Sequence, residues 1–442
     1  MTSVAVVVLD TLRKDAFDDH FDWLPGARFD SAYSTANWTI PAHASLFTGQ
    51  YASEAGVTAK SPSLDVESPV LAEAFRDAGY TTRCWTTNPN LGDHWDWDRG
   101  FEEFVPRRVF THADADRIFD WESFAARHAD DGPEKYLRAL WEVLVSDNDT
   151  VASVRAGLGR LRGHQRLVKD VPDEGGQSIL QRVRDTDFGD DEFLFVNFME
   201  AHTPYDPPEE YRSEDEPLNV VIGDALAGTV EEPDRLRRAY DDEVRYLSDL
   251  YRETFAELRE DFDYVVTLSD HGECLGEHGM WNHGYGTYPE LGHVPLSIHG
   301  PGFEGSSDRL VTLLDVHRTV AELAGIDVES RGRDLRDDSD RENALVEYHG
   351  LMPGHRDQLA RKGLDDERVE TLDDPLNGIA VGSDYYGYET HDDGFQHVGD
   401  RPESPEETLR EAVESLQKRQ SDEGRGEISD ELQEQLEDLG YA

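Results

Sequence analysis

Four short stretches carry residues able to do ester chemistry. The first is Ala36-Asn37-Trp38-Thr39-Ile40-Pro41-Ala42-His43-Ala44-Ser45-Leu46-Phe47-Thr48-Gly49. Pro41 suits a first helical turn, where its missing N–H costs nothing, and Gly49 suits the stop. Thr39 is therefore expected just ahead of a helix N-terminus, where backbone N–H groups and the helix dipole favour an anion. A hydroxyl held there is placed to attack phosphorus or sulfur, provided that a metal activates it. An N-cap threonine without chemistry fits the same stretch. The second stretch is the apolar run Val4–Leu9 ending in Asp10, where a carboxylate serves either as a metal ligand or as a cap. The third is His202 in Met199-Glu200-Ala201-His202-Thr203-Pro204-Tyr205. It is placed to donate to a substrate oxygen or to protonate a leaving group, or it is structural. The fourth is Asp270-His271-Gly272-Glu273, which offers one oxygen and one nitrogen ligand side by side, with Gly272 allowing close backbone approach.

Three of these stretches follow runs that read as buried parallel strands: Val4–Leu9, Glu192–Phe198 and Tyr264–Ser269. Open α/β sheets gather their ligands at the carboxyl ends of such strands. A further strand is expected at Thr81–Thr86, with Asn88 in the loop after it. Helices are expected at Ser68–Tyr80, Pro233–Phe262 and Asp315–Gly325. Trp95, Trp97 and Phe101 read as packing. Residues 108 to about 190 read as a helical insertion, in which Glu134–Val145 places Leu137, Leu140, Trp141 and Leu144 on one face. Val151–Lys169 has no acidic residue but carries Arg155, Arg160, Arg162, Arg166 and Lys169. That run either pairs with the acidic body or receives an anionic substrate. Towards the C-terminus, Leu345–Tyr348 and Ile379–Glu389 read as strands, with a turn at Asp392-Asp393-Gly394 and a capping box at Ser404 and Glu407.

The chain has 442 residues, 42 basic against 95 acidic, for a formal charge of −53. Lysine is confined to Lys14, Lys60, Lys135, Lys169, Lys362 and Lys418. Hydrophobic content of 37% argues for a packed core rather than a disordered acidic chain. Such a surface suits the salt-filled cytoplasm of a halophilic cell and disfavours nucleic acid as a partner. Cys84 and Cys274 have no disulfide or metal spacing, which fits a reducing, cytoplasmic setting. The opening run is expected to be a strand, not a signal peptide or a transmembrane segment.

The Thr39 stretch resembles the sulfatase signature of the alkaline phosphatase superfamily, in which Cys or Ser precedes x-Pro-x-Arg and a Leu-x-Thr-Gly ending. Thr39 stands at the nucleophile, His43 at the arginine, and Leu46-Phe47-Thr48-Gly49 matches the ending. The His-x-Pro-Tyr-x-Pro-Pro loop at His202 and the run Ser-Asp-His-Gly-Glu…Gly-Glu-His-Gly are similar to further motifs of that family. His283 falls where many sulfatases carry a substrate-binding lysine, and His278 is expected to be structural. Thr11 replaces the second of the family's paired aspartates, which removes one anionic ligand.

The resemblance implies a three-layer α/β/α sandwich with a mostly parallel sheet over residues 1–335, and a small antiparallel α+β subdomain over 336–442. It implies metal ligation by Asp10, Thr39, Asp270 and His271, catalysis by Thr39, His202 and His283, and substrate binding by His43, His202 and His283. The donor set suits one divalent ion, Mn²⁺ or Zn²⁺ ahead of Ca²⁺ or Mg²⁺. The expected substrate is an anionic ester, such as that of a glycan or a lipid-linked sugar. True sulfatases convert Cys or Ser to formylglycine, which Thr cannot become, so the expectation leans to phosphoester and phosphodiester chemistry. A non-catalytic relative that binds an anionic glycan is the alternative.

The charge carries a prediction of its own. Screening reaches only about 3 Å in 1 M salt but about 10 Å in 0.1 M, so carboxylate repulsion grows as salt is withdrawn. Thermal melts in potassium chloride should show a midpoint that rises with salt. A flat or falling midpoint would sink the idea.

Overall fold

The main sheet is built on β1 (Val4–Leu9), six apolar residues buried without alternation, as a strand covered on both faces requires. Seven more strands join it: β2 (Ala27–Tyr33), β3 (Thr81–Thr86), β4 (Glu103–Val105), β5 (Glu192–Phe198), β6 (Tyr264–Leu268), β9 (Leu296–His299) and β10 (Ser306–Thr312). Between β6 and β9 lies a two-stranded ribbon, β7 (Cys274–Leu275) and β8 (Trp281–Asn282). The main order is β10-β2-β9-β6-β1-β5-β3-β4. Here β9 runs against both neighbours, and the other pairs are parallel. The computed structural model describes residues 2–107, 175–337 and 339–419, all of them in one compact unit.

Helices cover both faces: α1 (Lys14–His20), α2 (Thr39–Thr48), α3 (Leu71–Asp77), α4 (Gly176–Asp185), α5 (Pro233–Asp261) and α6 (Leu313–Leu323). Ala5, Val7 and Leu9 of β1 share a core with Ile179, Leu180 and Val183 of α4 and with Leu247 and Leu250 of α5. The opposite face of the sheet, with Val6, Phe193 and Phe195, meets Leu46 and Phe47 of α2, Leu71 of α3 and Val316 of α6. This is the expected three-layer α/β/α sandwich. Helix α4 falls inside the stretch expected as an insertion, yet its apolar side is part of the main core. The expected helix Glu134–Val145, the basic run Arg155–Lys169 and the final Leu436–Tyr441 segment lie outside the described residues.

A second sheet follows as an antiparallel meander: β11 (Asn343–Tyr348), β12 (Leu376–Val381), β13 (Tyr385–Thr390) and β14 (Gly394–Val398). The single expected run at Ile379–Glu389 is therefore two strands, reversed at Gly382, whose φ of 65° is left-handed. Helices α7 (Pro353–Arg361) and α8 (Pro405–Glu414) accompany this sheet. The capping box expected at Ser404 does not form. Ser404 itself is left-handed (φ 48°, ψ 52°), and its side chain makes no cap bond, whereas an N-cap needs extended backbone. β11 also reaches the first sheet's loops: Glu347 N donates to Thr35 O at 2.9 Å, four residues before Thr39. Among the described residues no helix is long and apolar enough to cross a membrane.

Gly272, next to His271, is held against the loop before β9. Its N–H donates to Leu291 O at 2.9 Å, and a Cβ placed on it would lie 2.0 Å from Glu290 O. No real Cβ tolerates that distance, so the loop must move if a side chain is added. Gly272→Ala should cost about 2–3 kcal/mol in denaturant melts at fixed high salt, with metal affinity falling alongside. An unchanged midpoint would mean that this approach relaxes freely.

Candidate metal and ester site

Four strand ends converge at one edge of the sheet. Asp10 follows β1, Asn197 is near the end of β5, Asn88 lies two residues past β3, and Asp270-His271 follows β6. Parallel pairing of β6-β1-β5-β3 places all of these carboxyl ends on the same side. Helix α2 points its N-terminus at this edge, and Thr39 is its first residue behind an extended Trp38. Thr39 is thus one position further into the helix than expected. Trp38, not Thr39, is the N-cap, and the Thr39 hydroxyl turns to the site instead of to the helix.

Asp10, Asp270 and His271 are fully buried, and one ligand atom from each lies within 4.8 Å of the others. Asp10 Oδ2 accepts from Asn88 Nδ2 at 2.7 Å and from Asn197 Nδ2 at 3.2 Å. Asp10 Oδ1 and both Asp270 oxygens are buried with no hydrogen-bond donor at bonding geometry. His271 Nδ1–H donates to Gly272 O at 2.9 Å, which leaves the Nε2 lone pair facing Asp270 Oδ2 at 3.4 Å and Asp10 Oδ1 at 3.7 Å. Thr39 Oγ1 is 3.4 Å from that Nε2 and 3.3 Å from Asn88 Nδ2. Orphaned carboxylate oxygens, an imidazole lone pair and a hydroxyl in one buried cluster fit a divalent cation.

The electrostatics agree. Burial, then the neighbouring Asp270, push the Asp10 carboxyl up to about 7, and burial does the same to Asp270. Burial pulls His271 down to about 4, so it is neutral and able to ligate at physiological pH.

The other expected residues surround this cluster. The His43 Nδ1–H donates to Thr39 O at 2.9 Å, and the same nitrogen is 3.5 Å from Asp270 Oδ2. The ring sits edge-on to Trp97 and Phe195, and burial lowers its pKa to about 3. His202 Nδ1–H donates to Thr203 O, and burial holds this ring well below its ordinary pKa. The His283 ring is 4.9 Å from that of His202 and 4.6 Å from that of His271. Thr11 adds no side-chain oxygen to the cluster, since its hydroxyl donates to Asp10 O at 2.6 Å. His278 stacks on Tyr288 and pairs with Glu290, a structural position.

Sequence reasoning gave no site role to Asn88, Asn197 or Glu273. Asn88 is visible as a polar residue just past a strand, in a helix-strand-Asn order that also resembles the sulfatase domain, and Asn197 only as an amide in an apolar run.

Comparison with known proteins completes this picture. The Sulfatase family profile matches residues 19–326, so the chain belongs to the sulfatase family. It is 28% identical over 333 residues to an uncharacterized sulfatase, YidJ, of Escherichia coli K12, covering 68% of this chain and 61% of that protein. It is 26% identical over 337 residues to choline-sulfatase of Rhizobium meliloti, covering 69% and 61%. The chain thus spans about three fifths of the length of these curated relatives. Phosphonate monoester hydrolase from Silicibacter pomeroyi shares the fold, with a TM-score of 0.60 and 18% identity over 94% of each chain.

Metal binding should depend on pH through the two carboxylates. A cation displaces their protons, whereas His271 has none to lose above about pH 4. Mn²⁺ affinity should therefore climb as pH rises towards about 7, releasing up to about two protons per ion, and flatten above. Calorimetric titrations in buffers of different ionisation enthalpy measure both quantities. Affinity independent of pH below 7 would remove these carboxylates from the site.

Proposed function

We propose that this protein is a metal-dependent hydrolase, or transferase, of anionic phosphate or sulfate esters, with Thr39 as nucleophile and phosphodiesters preferred. The observation that carries the proposal is the Thr39 hydroxyl, buried at a helix N-terminus beside the orphaned oxygens of Asp10 and Asp270 and the His271 lone pair. Family membership supports ester chemistry. Both the choline-sulfatase relative and the phosphonate hydrolase sharing the fold are named for esters of such acids. Asp10, Asp270, His271 and Thr39 would hold a divalent ion, which when bound lowers the proton affinity of a ligated hydroxyl and offsets the incoming anion's charge.

The chain's own residues do the rest. Thr39 Oγ forms a bond to phosphorus while the bond to the departing alcohol breaks, leaving a Thr39 ester that water or an acceptor alcohol resolves. The N-terminal end of α2, with the N–H groups of Thr39 and Ile40 and the helix dipole, faces the developing charge. His202, with Nδ1–H committed to Thr203 O, presents the Nε2 lone pair as a proton acceptor when neutral. His283, beside it, serves the leaving oxygen or a non-bridging one. We assign His43 to supporting Asp270 and the first turn of α2. The lean to phosphorus rests on Thr39 itself, because a threonine side chain cannot give the formylglycine aldehyde.

Thr39→Ala should remove turnover almost entirely, since it deletes nucleophile and ligand together, while Thr39→Ser keeps part of it. The assay pairs a nitrophenyl phosphodiester, phosphate monoester and sulfate at molar salt with added Mn²⁺, Zn²⁺, Mg²⁺ or Ca²⁺. Faster sulfate release would overturn the phosphorus preference and keep the ester hydrolase. Activity surviving in Thr39→Ala would remove the nucleophile. Turnover that is absent with every metal and ester, alongside intact glycan binding, would favour a binding protein.

A further inference from the structure

Glu273 is a fully buried carboxyl group to which the reading above gives no task. Its Oε2 lies 3.2 Å from His283 Nδ1, and its Oε1 has no hydrogen-bond partner. A carboxyl group costs several kcal/mol to bury, so what it touches is informative. It is not needed to hold the backbone on either side of the contact. Glu273 O is tied by Arg13 Nη1 at 2.9 Å. His283 N donates to Asn282 Oδ1 at 2.6 Å, and His283 O accepts from Asn37 Nδ2 at 2.7 Å. Asn282 is left-handed at φ 68°, the turn that brings the His283 ring back over the site. With both backbones held by other contacts, the side-chain contact acts on the His283 ring, on its orientation beside the His202 and His271 rings and on its tautomer. Among the described residues the donor atoms that converge as a metal cluster are those of Asp10, Asp270 and His271, so Glu273 stands outside that cluster.

We propose that Glu273 is the positioning residue for His283: it engages Nδ1 and so turns Nε2, at the far side of the ring, to the reacting ester. This rests on the ester-hydrolase reading of the Thr39 site. The arrangement is that of a buried carboxyl group orienting an imidazole, in which the outer partner fixes the ring and the ring meets the substrate. The pair is peculiar to a histidine at position 283, since only a ring has a second nitrogen to be held.

The test uses the Mn²⁺-loaded full chain at molar salt with a nitrophenyl phosphodiester. Glu273→Ala should lower kcat about 10- to 100-fold while KM moves less than about threefold. His283→Ala should lose at least as much, and the double variant should be no worse than His283→Ala alone. Glu273→Gln should recover most of the loss, because its amide oxygen accepts from Nδ1–H at nearly the same volume. If Glu273→Ala does not fold, the Gln change carries the test: it should slow the wild-type background by about three- to tenfold and leave the His283→Ala background unchanged. Additive losses in the double variant, no recovery by Gln, or loss of bound Mn²⁺ from Glu273→Ala would each overturn the proposal. Full activity in Thr39→Ala would overturn the reading of the site instead.

Discussion

Two carboxylates buried side by side are the constraint on which this architecture turns. Asp10 and Asp270 share one site with no exposed surface and no cationic side chain in contact among the described residues. Removing an ion from water costs several kcal/mol even after relaxation, and a like charge nearby adds to that cost. Left alone, the pair must keep protons to near neutral pH, which is where the raised pKa values of about 7 place it. On the function proposed above, a divalent cation would reverse that balance by pairing both carboxylates at once. The unpaired oxygens that cost stability in the protein alone would then contribute to the free energy of metal binding.

The scaffold serves that pair. Asp10 and Asp270 follow neighbouring strands, β1 and β6, whose register sets Val8 beside Leu268 and so brings the two loops together. On the other side of β1, Leu9 pairs with Phe198, which leaves Asn197 within reach of Asp10. One Asp10 oxygen is saturated by the two asparagines, and the other is kept for the site. Parallel strands make this economical, because every strand end of one direction opens on the same edge. Helix α2 then adds what strands lack, the positive end of a helix dipole with the N–H groups of Thr39 and Ile40 ahead of Pro41.

The parts that were legible in the sequence are those whose signal is local. Val4–Leu9, Glu192–Phe198 and Tyr264–Leu268 announce themselves because a strand buried on both faces has no alternation to blur it. Asp10 and Asp270-His271 are legible as polar residues that end such runs. The asparagines were not, because their role is set by strand register: Asn88 and Asn197 meet Asp10 across 78 and 187 residues. The contact of Glu273 with His283 depends on the reversal at Asn282, which no residue pattern encodes. Ser404 shows the opposite failure. Its residue types spell a capping box, but its left-handed backbone cannot form one.

The departures from the sulfatase pattern act as a set rather than as separate losses. A threonine keeps a hydroxyl where the pattern has a formylglycine precursor. By the resemblance, His43 and His283 stand where the pattern has an arginine and a lysine, and burial pulls both histidines down to about 3, so neither supplies a fixed positive charge. By the same resemblance Thr11 stands where the pattern has an aspartate, which leaves one negative charge fewer, and its hydroxyl donates to the Asp10 carbonyl. What remains is the Asp10 and Asp270 pair, whose two charges a single divalent ion would offset, with neutral imidazoles, a hydroxyl and the Glu273 carboxyl group, which burial raises to about 8. On the function proposed above, the incoming ester then meets a neutral site with helix N–H groups around it, and a singly charged diester is matched better than a dianion. The two rings are held differently, His43 through Nδ1–H on Thr39 O and His283 through Nδ1 against Glu273 Oε2.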